Sequence, residues 1–277
     1  MKLAIALPIL TLAFVCGTTL VESIYPFWIR TTTPMPTLPP TSDRQFYDKF
    51  KQIPPITMTA DKIVKKFFRL SSSVLNKRRI HLQDTAVVMD SSGSIGDCEY
   101  KKGKQAMKNL MNITLPPKYD GYWAGVQYSN DARIMFNFFP ASKAATKSDL
   151  FFFENGWTNT AGGLAKAKDL FDDPTKGSRR GARQMVFLVT DGQSNIDKGQ
   201  TVPNARRLKD DGVEIFVIGV GDFSSGIEEI VQIASLPVED HVLRVRNYGN
   251  MIDVVKLVIK EINPGQYAIV EKIPPPC

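Results

Sequence analysis

The run Thr85-Ala86-Val87-Val88-Met89 gives way at once to Asp90-Ser91-Ser92-Gly93-Ser94. A short apolar run bounded by turn residues reads as a buried strand of a parallel sheet. Behind the turn, Ile95 to Met111 carries the spacing of a helix, with Tyr100, Met107, Leu110 and Met111 facing inward. The turn therefore sits at the carboxyl end of a strand, where open α/β sheets bind ligands. It offers one carboxylate and, at alternating positions, the hydroxyls of Ser92 and Ser94. Oxygen donors so arranged suit a hard divalent cation.

Ser/Gly clusters after strands are usually only turns, so the motif gains meaning from two further segments. Trp157-Thr158-Asn159-Thr160-Ala161-Gly162-Gly163 precedes a helical pattern and adds a hydroxyl. Met185-Val186-Phe187-Leu188-Val189-Thr190-Asp191-Gly192 is a second buried strand ending in a carboxylate. In this order the three loops resemble the von Willebrand factor A (vWA) domain and its metal-ion-dependent adhesion site. The resemblance covers Gln83 to Ile262 and includes the later strand Val213 to Gly221.

That resemblance implies a metal site of Asp90, Ser92, Ser94, Thr158 and Asp191. Ser92, Ser94 and Thr158 would bind Mg²⁺, Mn²⁺ or Ca²⁺, and Asp90 and Asp191 would act directly or through water. The charge count supports it: with neutral hydroxyls, two carboxylates at most neutralise a divalent ion, so it can still accept an acidic group from a partner protein. Some family members bind partners through side faces without metal, so an unused site is the competing reading. Asp97 and Glu99 lie close in sequence but acids in a first helical turn commonly serve the helix dipole. Trp157 and Asn159 flank Thr158 as either recognition or packing residues.

The chain has 277 residues, enough for one sizeable domain with appendages. Lys2, the apolar run Leu3 to Cys16 and the small residues after it read as a secretory signal peptide over 1–17. An uncleaved anchor is the alternative, for which the apolar core is short. No later stretch is long and apolar enough to span a bilayer. Removing the signal leaves Cys98 and Cys277. An even count in an exported chain suggests one disulfide. Within one chain it would contribute about 5 kcal/mol in the chain-entropy model; the rival is an interchain bridge through Cys277. Asn112-Ile113-Thr114 is an N-glycosylation sequon at the end of the first helix.

Residues 18–59 read as a Pro/Thr-rich linker, with Thr31 to Ser42 the densest part. Residues 60–80 read as a basic amphipathic helix and connector. Ile63, Phe67, Leu70 and Val74 form its apolar face, Lys62, Lys65, Lys66 and Arg69 lie opposite, and Lys77-Arg78-Arg79 follows. Such a helix either docks on its domain or meets a membrane or polyanion. The vWA domain then occupies 81–262. Its fold is expected to be α/β and doubly wound, a mostly parallel sheet flanked by helices on both faces in the Rossmann-like manner. Its helices include Lys147 to Phe153, Ala161 to Phe171 and Met251 to Ile262. Asn263-Pro264-Gly265 stops the last helix, and 263–277 reads as a Pro-rich surface tail.

An enzyme is disfavoured because only His81 and His241 are present, neither within a motif. Lys102-Gly103-Lys104 and Gly219-Val220-Gly221 lack the spacing of phosphate-binding loops. The net charge of +7 permits attraction to acidic polysaccharide, with a solvated surface as the plainer account; no nucleic-acid motif accompanies it. The expectation is a secreted, non-enzymatic module of the extracellular matrix whose partner is an extracellular protein offering an acidic side chain, collagen foremost. The alternative is a soluble recognition or immune protein, or a cell-surface adhesion protein, using a metal-independent face.

Overall fold

The computed structural model describes residues 37–70, 80–117, 119–222 and 225–277. The signal segment, most of the Pro/Thr stretch, Val74 and Lys77-Arg78-Arg79 lie outside them. Six strands form one sheet: β1 (His81–Asp90), β2 (Tyr119–Tyr128), β3 (Ala132–Pro140), β4 (Arg183–Thr190), β5 (Glu214–Val220) and β6 (Val242–Val245). Their order is β3-β2-β1-β4-β5-β6, and only β3 runs antiparallel. The chain moves outward from β1 through β2 to β3, then returns to the other side of β1 as β4. The order reverses between β1 and β4, and ligands bind at such a reversal.

Both faces of the sheet are covered, which is why β1 is buried along most of its length and lacks polar alternation. Val87 and Met89 point into one layer, with helices α2 (Ile56–Lys62), α3 (Asp97–Met111), α4 (Ala141–Lys147) and α9 (Tyr248–Ile262). Ala86 and Val88 point into the other, with α1 (Arg44–Asp48), α5 (Thr160–Asp172), α6 (Lys198–Asp210) and α7 (Ile227–Ile233). A short helix, α8 (Val238–His241), precedes β6. Among the described residues no helix is long and apolar enough to cross a membrane.

Three local expectations are corrected. The linker expected over 18–59 gives way to structure by residue 43: Asp43 caps α1 by accepting from the Phe46 N–H at 3.1 Å, and Tyr47 and Phe50 are buried. Aromatic side chains three residues apart give this segment an apolar face to bury. The basic helix begins at Ile56, earlier than residue 60, and continues as a π-helical turn over Ile63–Phe67. Its apolar face docks: Ile63, Val64, Phe67 and Phe68 all join the core. Arg244 ties the same region down, donating to the Phe50 and Gly221 carbonyls at 2.6 Å each.

The helix expected over Lys147–Phe153 instead occupies Ala141–Lys147, followed by a 3₁₀ turn over Ser148–Leu150. Beyond that turn, two N–H groups go to side chains at the strand ends: Phe152 N–H donates to Gln127 Oε1 at 2.9 Å and Glu154 N–H to Ser91 Oγ at 2.8 Å. These bonds compete with helix. The Pro-rich surface tail carries a short helix of its own. Asn263 ends α9 and also caps α10 (Pro264–Val270), accepting from Gln266 N–H at 3.0 Å with Pro264 at the first helical position. Beyond α10 the chain ends at Cys277, bonded to Cys98 with 6.1 Å between Cα atoms.

Candidate metal centre

Register brings the first group together. Asp90 pairs with Tyr128 across β1 and β2, and Met89 pairs with Val189 across β1 and β4. Asp90, Tyr128 and Thr190 therefore stand at one level on three adjacent strands. Asp90 is fully buried. Its Oδ2 accepts from Thr190 Oγ1 at 2.9 Å and from the Tyr128 hydroxyl at 3.2 Å. Its Oδ1 accepts from the Ser92 backbone N–H at 2.9 Å, which shapes the turn after β1. The carboxylate is fixed in orientation.

The hydroxyls of Ser92 and Ser94 lie 3.2 Å apart, and Ser94 Oγ donates to Asp191 Oδ1 at 3.1 Å. Four of the five expected residues are thus joined, directly or through one neighbour, across the β1 and β4 loops. Thr158 arrives on the third loop, which is stitched to the first. Gly93 N–H donates to the Gly156 carbonyl at 2.8 Å, and Ser92 and Gly156 form a parallel bridge. A Cβ at Gly93 would stand 2.8 Å from Asn155 Oδ1, so glycine permits the approach. Thr158 is itself held by the loop after β4: its N–H donates to Asn195 Oδ1 at 2.8 Å and its carbonyl accepts from Asn195 N–H at 3.0 Å. The Thr158 hydroxyl forms no hydrogen bond among the described residues.

The electrostatics favour a cation. Burial raises the Asp90 carboxyl, partly offset by its bonds from Ser92, Thr190 and Tyr128. Burial and then the charge of Asp90 raise Asp191 to about 7. Burial, followed by the same negative charge, pushes the Tyr128 and Tyr248 phenols up. Among the described residues no lysine or arginine acts appreciably on either carboxyl. Two desolvated carboxylates with no cationic partner among the described residues, beside the linked Ser92 and Ser94 hydroxyls, fit a divalent ion in charge and in donor type.

Other residues named from the sequence lie elsewhere or serve packing. Asp97 pairs with Lys101 at 2.6 Å, and Glu99 pairs with Lys102 and accepts from Tyr248 N–H at 3.0 Å. Asn159 caps α5, accepting from Gly162 N–H at 2.8 Å. Trp157 is exposed. His81 opens β1 and His241 precedes β6, so both stand at the amino ends of parallel strands, opposite the carboxylates. Gly103 lies within α3 against Tyr248. Asn112 is exposed at the end of α3. Sequence reasoning passed over Thr190, Tyr128, Ser91 and Asn195. Thr190 adjoins Asp191 and was findable; Tyr128 and Asn195 carry no local signal.

The family model of the von Willebrand factor type A domain matches residues 84–257, more than half of the chain. The chain belongs to the vWA family. Integrin alpha-M of Mus musculus is 31% identical over 179 residues, 60% of this chain and 15% of the integrin. Collagen alpha-5(VI) chain of Mus musculus is 32% identical over 187 residues, 64% of this chain and 7% of the collagen. Vitrin of Bos taurus is 28% identical over 211 residues, 74% of this chain and 30% of vitrin. The vWA chain thus spans a minor part of each of these relatives. Among solved structures, proximal thread matrix protein 1 of the mussel byssus aligns with a TM-score of 0.56 at 25% identity, covering 66% of this chain and 48% of that one. The vWA fold and its kinship to matrix and integrin proteins rest on these matches.

Proposed function

We propose that this vWA protein is secreted and binds an extracellular protein ligand through a divalent cation held by Asp90, Ser92, Ser94, Thr158 and Asp191. The observation that carries this is the convergence of two desolvated carboxylates and linked hydroxyls at the sheet's reversal point, with no cationic partner among the described residues. A bound Mg²⁺ or Mn²⁺ would supply an electrophilic centre for an acidic side chain of the partner. Asp90 would orient the site from beneath, Asp191 and the Ser94 hydroxyl would close it from opposite loops, and Thr158 would offer a free hydroxyl.

A matrix protein is the partner this reading favours, collagen first. Support comes from kinship to collagen VI chains and vitrin and from the signal-like start of the sequence. A non-enzymatic role agrees with the separation of both histidines from the site. In an exported chain the Asn112 sequon is open to glycosylation, and the basic surface can add salt-sensitive attraction to acidic polysaccharide.

Calorimetry of the full chain with Mg²⁺ and Mn²⁺ should show one site, lost in Asp90→Ala. Capture of matrix proteins on the immobilised chain should then weaken with EDTA and with Thr158→Ala while the circular dichroism is unchanged. Capture indifferent to both would assign partner binding to a metal-independent side face.

A further inference from the structure

Trp157 directly precedes Thr158 on the third loop, with 66% of its surface exposed. Its backbone is held on both sides. The N–H donates to Asn130 Oδ1 at 2.8 Å, and the carbonyl accepts from Ser129 Oγ at 3.2 Å. The preceding Gly156 N–H donates to the same Ser129 hydroxyl at 3.0 Å. A Cβ on Gly156 would meet that hydroxyl at 2.5 Å, so the loop is closely seated on the turn after β2. The indole itself makes no hydrogen bond and no ring contact among the described residues. Phe152, the other exposed aromatic of this loop, differs: the Arg133 guanidinium lies over its ring at 5.7 Å.

An exposed indole contributes little to folding, while a loop already held by hydrogen bonds loses less entropy when a partner docks. Tryptophan so presented is the residue type most often found to dominate an interface, because its large face buries apolar area and its N–H finds an acceptor. Trp157 is one residue from Thr158, so a side chain flanking a carboxylate that enters the centre lies within the reach of an adjacent residue.

Resting on the metal-bridged reading above, we propose that Trp157 is the specificity-determining residue of the site. Its ligand is an extended peptide segment with an Asp or Glu and an apolar side chain within two residues of it, the apolar group covering the indole face.

The test selects binders from a displayed library of random heptapeptides on the full chain in Mn²⁺, with Trp157→Ala and Trp157→Phe in parallel. On the wild type, an acid should be enriched together with an apolar neighbour. On Trp157→Ala the acid should persist and the neighbour preference vanish, while Mn²⁺ affinity by calorimetry stays the same. A wild-type-enriched peptide should bind Trp157→Ala roughly 10-fold or more weakly, a typical loss for a buried aromatic anchor, and Trp157→Phe should recover part of it. Persistence of the apolar preference on Trp157→Ala overturns the role of Trp157 and leaves the metal-bridged reading standing. Absence of acid enrichment on the wild type overturns both.

Discussion

Asp191 is the residue at which burial and charge repulsion act together, and it sets a pH dependence. Its carboxyl is raised from 3.8 to about 7 by burial and by the charge of Asp90. Between those values the folded, metal-free protein holds a proton that the unfolded chain has released. The folded state then binds more protons, so stability must fall as pH rises across that interval. A cation competes with the same proton, so its affinity should climb as pH rises to about 7 and level off above. Urea unfolding in EDTA at pH 4.5, 6 and 8 should show a decline in the wild type that is smaller in Asp191→Asn. Mn²⁺ calorimetry over the upper range should show affinity rising. Affinity flat from pH 5.5 to 8 would mean that the carboxyl is ionised throughout.

At the scale of elements, the crossing of α3 and α9 positions the loop after β1. Gly103 lets Tyr248 close against α3: a Cβ there would stand 2.6 Å from the ring's Cδ1. Tyr248 is buried, and its N–H is already bonded to Glu99 at the start of α3. Neither partner can yield without moving a helix. Gly103→Ala should therefore destabilise the protein by about 1–3 kcal/mol, the usual cost of overpacking a core, despite alanine's better helix propensity. Chemical denaturation measures it through a lowered midpoint at unchanged slope. Wild-type stability in this variant would show that the two helices are free to slide.

Across the whole molecule, the core extends beyond the stretch that the family model matches. Phe67 has no exposed surface, and its ring centroid lies 5.1 Å from Phe187 and 5.3 Å from Phe216 on the sheet. Val270 joins the same core from the far end of the chain. The segments before residue 81 and after 262 therefore complete the fold rather than decorate it. Phe67→Ala should cost about 3–5 kcal/mol, as truncation of a buried aromatic does, measurable by thermal or urea unfolding. A cost under about 1 kcal/mol would mark the N-terminal segment as dispensable. The exposed sheet face should also make the isolated 84–257 stretch less soluble than the full chain.

The local sequence determined the strands, most helices and four of the five oxygens' placement at strand ends, because buried strands and polar turns leave contiguous patterns in the chain. Asp90, Ser92 and Ser94 were legible together since one turn carries them, and Asp191 because it ends an apolar run. Thr158 was legible through family resemblance; its setting depends on bonds between loops distant in sequence. Only tertiary structure decided that Tyr128 and Thr190 would clamp Asp90, since register across three strands makes them neighbours. It also decided that residues 43–67 are structural, and that 151–154 gives up a helix for side-chain bonds at the strand ends. Short-range pattern reports on burial and turn chemistry, whereas these outcomes depend on which surfaces meet, and a lone segment does not carry that information.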